Sequence, residues 1–329
     1  MKVEVIEDFA RLLDIKQCWS GLLSRLPGIT PFQTPEWLLS WWQHFGSGKL
    51  QVLAFRSGQQ LAGVVPCFGH QWEGKRQLTL IGTGISDYLE PAIAPEHASG
   101  VIEALVDWLR NTPDWQICNW QDLNGDTPLQ ALASIPQPDS SIQPDTACSE
   151  IPLTGRFEQW WEQRPHGLRR NVRRYLEKAL GIDRPEFCVT TSPEPEAVEA
   201  LLNLHTARWR NHGEPGMIAA NHSAQFLREV FARFSDADQL RLFSLHFQSR
   251  IVSAICAFAF RNTLYAYLSG FDPEYENLGF GRTLLFHSIR YAFENGCASW
   301  NFLRGDEAYK LGWGAQRIEK YRLIITRAV

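Results

Sequence analysis

The stretch Leu268-Ser269-Gly270-Phe271-Asp272-Pro273-Glu274-Tyr275-Glu276-Asn277-Leu278-Gly279-Phe280-Gly281-Arg282-Thr283 decides how the chain is read. A strand-like run ends at Gly270, an irregular acidic loop follows, and a helix opens at the Gly-x-Gly of residues 279–281. Glycines at such a junction let the backbone N–H groups of Gly279 to Thr283 point outward. Together with the partial positive charge of a helix N-terminus they make a place suited to a pyrophosphate, to which Arg282 adds a charge-assisted contact. The plainer reading is a tight turn formed by Gly279 and Gly281. A Rossmann fingerprint does not fit, because the third glycine is missing and no crossover helix precedes the loop.

Working outward, Thr263–Gly270 is the third of three consecutive strands, after Leu240–Phe247 and Ile251–Phe260. Glu186–Thr191 is a strand before them, with helices at Glu194–Trp209 and His222–Phe234. The helix Gly281–Asn295 closes at Gly296. Ser299–Leu303 is the next strand, and Gln316–Thr326 returns as a terminal β segment. The first half repeats the order: strand Lys2–Ile6, an amphipathic segment from Phe9 to Leu23, and a helix opened by Pro35 after Thr34. Strands Gln51–Phe55, Leu61–Cys67 and Leu78–Ile81 follow, then a helix from about Glu96 to Arg110 and a strand at Gln116–Gln121. Both halves spell β-α-α-β-β-β-α-β, which predicts a tandem duplication of one α/β unit. The Pro/Ser/Asp-rich stretch Pro136–Thr146 reads as the linker, giving domains at 1–147 and 148–329, the second led by a basic helix over 157–180.

Length and composition agree. A chain of 329 residues is about two domains long, and 44% hydrophobic with 21% charged residues is globular rather than disordered or fibrous. Lys+Arg 32 against Asp+Glu 36 gives a net charge of −4, which argues against a protein that coats nucleic acid. The apolar run Ile251–Phe260 is far short of the ~20 residues of a membrane span. Met1–Asp8 carries acids where a signal peptide has a basic segment, so a cytoplasmic location is expected. Cys18, Cys67, Cys118, Cys148, Cys188, Cys256 and Cys297 are scattered without a CxxC pair, as reduced thiols are.

The element order and the Gly-x-Gly loop resemble the GNAT acetyltransferases. In that family a loop of pattern Arg/Gln-x-x-Gly-x-Gly/Ala after the fourth strand holds the acetyl-CoA pyrophosphate. Glu276, Gly279 and Gly281 stand at the matching positions, so an acid replaces the first residue and backbone amides carry the contact. Three further strings, His205-Thr206-Ala207-Arg208-Trp209, Gly270–Glu274, and Asn301–Lys310 with Trp313, look like signatures of the CelD-type acetyltransferases of cellulose and exopolysaccharide biosynthesis. That family shares the tandem-GNAT architecture of the FemAB peptidyltransferases. The resemblance implies two tandem α/β units with mixed, mostly antiparallel sheets flanked by helices. It also implies acyl transfer from acetyl-CoA or another acyl-CoA, without a metal, to an amine on a sugar or amino-acid acceptor. Gly270, Phe271, Leu278, Gly279, Phe280, Gly281, Arg282 and Thr283 would then hold the coenzyme.

Amine attack on a thioester needs a base, oxyanion donors and an acid for the leaving thiolate, but no protein nucleophile. If the residues after Ser299–Leu303 are helical, Asp306, Tyr309, Lys310 and Trp313 share one face. Asp306 or Glu307 is then the expected base, Tyr309 the thiolate acid, and the amides around Gly270 and Phe271 the oxyanion donors. Arg304 and Lys310 are expected acceptor ligands, against the alternative of a surface ion-pair cluster. His205 lies on an apolar stripe with Val198, Leu201, Leu202 and Trp209. It reads either as a satisfied core residue or, with Arg208 and Trp209, as part of the acceptor site. In the first half, Gly82–Tyr88 has no helix starting at its glycines, so its phosphate site is expected to be lost, with Asp87 and Tyr88 facing the acceptor. The basic face Arg169, Arg170, Arg173, Arg174 and Lys178 is either solvated or an anion site. A non-catalytic glycan- or partner-binding protein, and transfer from aminoacyl-tRNA, are the competing functions.

Overall fold

In the computed structural model, which describes residues 1–134, 139–211 and 221–327, the first half opens with β1 (Lys2–Ile6), α1 (Phe9–Asp14), α2 (Lys16–Arg25) and α3 (Pro35–Phe45). The segment expected as one helix from Phe9 is two, because the Ile15 N–H turns back to Leu13 and closes α1. Thr34 caps α3 by accepting the Trp37 N–H, with Pro35 preset for the first turn. Then come β2 (Lys49–Ser57), β3 (Gln60–Trp72), β4 (Lys75–Leu80), the short β5 (Ala92–Ile93), α4 (Ala98–Asn111) and β6 (Ile117–Asn124). The order β1-β2-β3-β4-β6 is antiparallel except for β4 and β6, which run parallel.

After β7 (Asp139–Pro152) the second half comprises α5 (Phe157–Glu162), α6 (His166–Leu180), β8 (Glu186–Thr190), α7 (Pro195–Asn211), α8 (Asn221–Asp236), β9 (Leu240–Phe247), β10 (Arg250–Phe260) and β11 (Thr263–Phe271). It ends with α9 (Phe280–Glu294), β12 (Ser299–Arg304), α10 (Ala308–Gly312) and β13 (Gln316–Thr326). Residues 139–146, expected as linker, are strand; residues 136–138 lie outside the described residues. Pro165 separates α5 from α6, since it has no N–H to continue a helix. Here the order is β8-β9-β10-β11-β12-β7, again antiparallel except for the parallel pair β11 and β12. The core of this unit buries Phe243, Phe247, Leu284, Ile289 and Trp300.

The two units are Met1–Thr146 with Glu319–Val329, and Ala147–Ile318. Residues 319–329, assigned by sequence to the second domain, thus belong to the first, because Lys320–Thr326 of β13 complete its sheet against β6. A fully buried lysine marks that join: Lys320 Nζ donates to Asn124 Oδ1 at 2.7 Å and lies 4.0 Å from the Tyr88 ring centre. Among the described residues no helix is long and apolar enough to cross a membrane.

Beside that lysine, the Glu90 carboxylate accepts from the Thr127 hydroxyl at 2.5 Å and the Asn124 N–H at 3.0 Å. Burial nonetheless pushes its pKa up to about 7. A carboxyl that binds its proton more tightly folded than unfolded favours folding at low pH. Stability relative to a Glu90→Gln variant should therefore fall as pH rises from ~4.5 to 7, by at most about 3 kcal/mol, in denaturant titrations. A pH-independent difference would show that Glu90 keeps its ordinary acidity.

Candidate active site

The parallel strands β11 and β12 stay paired only where Thr263–Tyr265 face Ser299–Asn301. Beyond that point they part. The β10–β11 register also skips Tyr267, passing from Cys256 opposite Leu268 to Ala257 opposite Ala266, a bulge that bends β11. The gap is a cavity of about 460 Å³, lined by α6, α7, α9, α10 and the three strands β10–β12, all within the second unit.

One end of the cavity is the Gly-x-Gly loop. Gly279 has φ +61° and precedes α9; a Cβ there would strike the Tyr175 ring of α6. Not all the expected amides are free. The Gly279 N–H donates to Glu276 O, and those of Arg282 and Thr283 to Gly279 O, each at 3.1 Å. This leaves the amides of Phe280 and Gly281 without a hydrogen-bond partner among the described residues, as first-turn amides are. Arg282 lies 5.6 Å from the Tyr175 ring centre and lines the cavity; Leu278 and Thr283 are buried away from it. A Cβ on Gly281 would come within 3.2 Å of the Phe271 ring, so glycine keeps the mouth open. Glu276 also lines this end.

The β12 side is shaped by two left-handed residues, Leu303 at φ +62° and Gly305 at φ +103°. Helix α10 begins only at Ala308, with Glu307 as its cap, so Asp306 does not share a face with Tyr309, Lys310 and Trp313. The Asp306 carboxylate is held 2.6 Å from Arg317 and lies outside the cavity, whereas Glu307 lines it. Lys310 is 3% exposed, and its Nζ meets Arg304 O at 2.6 Å, Gly305 O at 3.1 Å and Glu307 Oε2 at 2.8 Å. Three internal acceptors occupy its three donors, so this lysine fastens the loop that carries Glu307 while itself lining the cavity; the carboxylates of Glu307 and Asp306 are each about half exposed. Tyr309 lines the cavity but is 45% exposed; partial desolvation and the Glu307 carboxylate push its phenol up, to about 12, against the pull of Arg208.

Helix α7 forms the third side. Gly270 allows it to lie directly on β11, since a Cβ there would collide with the backbone of Leu204 and His205. His205, Arg208 and Trp209 line the cavity together with Arg304. His205 Nδ1 is 3.0 Å from Ser269 O, and Arg208 Nη1 donates to Ser269 Oγ at 3.1 Å. Burial drives the imidazole down to about 4, Arg208 adding to the effect and the Ser269 bond opposing it, so the ring is neutral at pH 7. Asp87 and Tyr88 belong to the first unit; Tyr88 is buried there, 6.3 Å from Phe32 in a stacked pair. Sequence reading missed Tyr175, Ser253, Ser269 and Trp300 as cavity residues. Tyr175 stands amid the arginines of a helix already singled out, and Ser269 within the stretch on which the reading opened; Ser253 and Trp300 sit in strands with no local signal.

With this geometry in place, comparison with known proteins is informative. Residues 166–311 match the sequence model of the acetyltransferase (GNAT) domain family. A crystal structure of FemX superposes with a TM-score of 0.67 at 10% identity, covering 98% of this chain and 97% of that one. L-PGS from Bacillus licheniformis gives 0.56 at 12% identity over 90% and 92% of the two chains. A tandem GNAT protein from the clavulanic acid biosynthesis pathway gives 0.51 at 10% over 100% and 99%. At such identities the likeness is one of fold: a mixed α/β architecture of tandem GNAT-like units. No curated protein matches in sequence.

Lys310→Ala should destabilise the protein by about 1–3 kcal/mol, because it removes the buried donor to the Arg304 carbonyl, while Gly305 O keeps its bond from Ser149 Oγ and the half-exposed Glu307 carboxylate stays in water. Asp306→Asn, which touches only an exposed pair, should change stability by less than about 1 kcal/mol. Equal unfolding midpoints for the two variants would refute the role given to Lys310.

Proposed function

We propose that the protein is an acyl-CoA-dependent N-acyltransferase that joins donor and acceptor in a ternary complex, the acceptor being an amine of a sugar or amino acid. The observation that carries this reading is the gap between β11 and β12, with α9 opening at its mouth. From residue 266 onward β11 has no strand partner on the β12 side among the described residues, so its edge can receive an extended, amide-bearing arm such as pantetheine. The amides of Phe280 and Gly281, with Arg282 beside them, suit the diphosphate of the coenzyme. Acyl-CoA supplies a thioester: the amine nitrogen bonds to the acyl carbon, the C–S bond breaks, sulfur leaves as thiolate, and the amine gives up a proton.

The chain's own groups fit the rest. Glu307, unlike Asp306, lines the cavity, at the opposite end from Glu276 and beside Tyr309, and can orient the amine and accept its proton directly or through water. Tyr309 stays protonated below about 12, so it can offer a hydrogen bond to the departing sulfur throughout the physiological range. The string Phe302–Lys310 supports placing the acceptor in polysaccharide or cell-envelope synthesis, through its resemblance to the CelD-type enzymes. Glu276 at the mouth is the feature that favours the other reading, a binding protein on a transferase scaffold. The exposed Arg170, Arg173 and Arg174 of α6, which form no ion pair among the described residues, are what favours tRNA.

Acetyl-CoA should raise the melting temperature by several degrees, and acceptor-dependent thiol release should follow. Glu307→Gln should lower kcat roughly 100-fold with coenzyme affinity retained, while Asp306→Asn stays within about threefold of the parent. No thermal shift with acetyl-CoA would sink the transferase reading in favour of the binder. Binding of tRNA that weakens steeply with salt would instead favour aminoacyl-tRNA as donor.

A further inference from the structure

Several buried side-chain polar atoms have no hydrogen-bond partner among the described residues, and two of them stand about one turn apart on the α7 wall of the cavity. His205 Nε2 and Trp209 Nε1 are both buried, and neither has a hydrogen-bond partner among the described residues. Buried polar atoms are nearly always paired, so two orphans on one wall of a cavity point to a ligand. Arg208, between them, contacts the Ser269 hydroxyl and the Phe271 ring but no carboxylate among the described residues.

Each group has one possible role. His205 Nδ1 faces a carbonyl, which can only accept, so Nδ1 carries the proton and Nε2 presents a lone pair. An indole N–H can only donate. A guanidinium donates and carries charge. Helical spacing brings Arg208 (i+3) and Trp209 (i+4) each beside His205, the His205 and Trp209 ring centres are 5.9 Å apart, and all three line the cavity. The complementary ligand therefore has a single anionic group for Arg208 and Trp209, and an N–H donor close by for His205. Beside His205 and Trp209 a single guanidinium, Arg208, suits a carboxylate better than a phosphate, since Lys310 is already occupied by three internal acceptors and Arg282 stands at the Gly-x-Gly end of the cavity.

We propose that His205, Arg208 and Trp209 form an acceptor subsite for an amino acid whose amine lies on the carbon bearing the carboxylate or on the next one. This rests on the acyltransferase reading for what happens to the amine, but not for the binding itself. The subsite adjoins the reacting end of the cavity: Arg208 lies close enough to bias the titration of both His205 and Tyr309. It narrows the acceptor from amines in general to amino acids, and disfavours amino sugars that lack a carboxylate.

The test uses the full-length protein and calorimetric titration with the ordinary α-amino acids and β-alanine, each compared with its methyl ester, and with ethylamine, cadaverine and glucosamine. Thiol release from acetyl-CoA is followed in parallel. At least one amino acid should bind, and its ester should bind roughly tenfold to a hundredfold more weakly. Arg208→Lys and Trp209→Phe should each weaken the amino acid by about tenfold while leaving acetyl-CoA affinity unchanged. The ester comparison needs no variant and stands even if one fails to fold. Amino-acid binding without thiol release would overturn the transferase reading and leave the subsite intact. Thiol release that is as fast with cadaverine or glucosamine as with any amino acid would overturn the subsite and leave the transferase. Loss of acetyl-CoA affinity in either variant would give these residues to the coenzyme, and failure of every amino acid to bind would likewise overturn the proposal.

Discussion

A sheet that comes apart must put something in the hole. Parallel strands β11 and β12 share only three residue pairs before they diverge, and the strand edge so exposed has backbone donors and acceptors that need partners. Most features of the second unit follow from that divergence. The bulge at Tyr267 turns β11 away, Gly270 lets α7 close one face of the gap, and Gly279 delivers the start of α9 to the other. Leu303 and Gly305, both left-handed, bend the end of β12 so that Glu307 and Tyr309 look back across the opening.

The first unit shows the same topology with a different loop after its shorter parallel strand. Its strands β4 and β6 are also parallel, and also pair over only three residues, Gln77–Thr79 with Ile117–Asn119. There the loop after β4 folds onto its own unit. Trp37 Nε1 donates to Ser86 Oγ at 2.8 Å, the Ile81 N–H bonds to Pro66 O, and Gly82 is pressed between Leu38 and Leu89. No helix begins at Gly82 or Gly84, so no first-turn amides are offered. Two units with one strand order thus reach different ends through the residues of a single loop.

Much of this was legible in the chain. The succession of elements in each half and the helix at Gly279–Gly281 follow from period and glycine placement, because a glycine junction ahead of a helix has few structural solutions; the mixed sheets were implied by the GNAT resemblance. Most of the residues expected around the cavity line it. What escaped was long-range. Nothing local in Lys320 or Ile325 says that β13 completes the first sheet, since strand partners are chosen by edges far away in sequence. Asp306 and Glu307 look interchangeable as letters; the turn at Gly305 and the ammonium of Lys310 send one to Arg317 and the other into the cavity. Likewise the outward N–H groups number two rather than five, because a helix consumes its own amides after the first turn.

The helix start at the mouth of the gap is where the account is most exposed. Amide resonances of Phe280 and Gly281, followed in an isotope-labelled sample during titration with coenzyme A, report on it directly. Both should shift and saturate together, and inorganic pyrophosphate should move the same pair more weakly. Unmoved amides at 280 and 281 at saturating coenzyme would contradict the assignment of this opening as the diphosphate site.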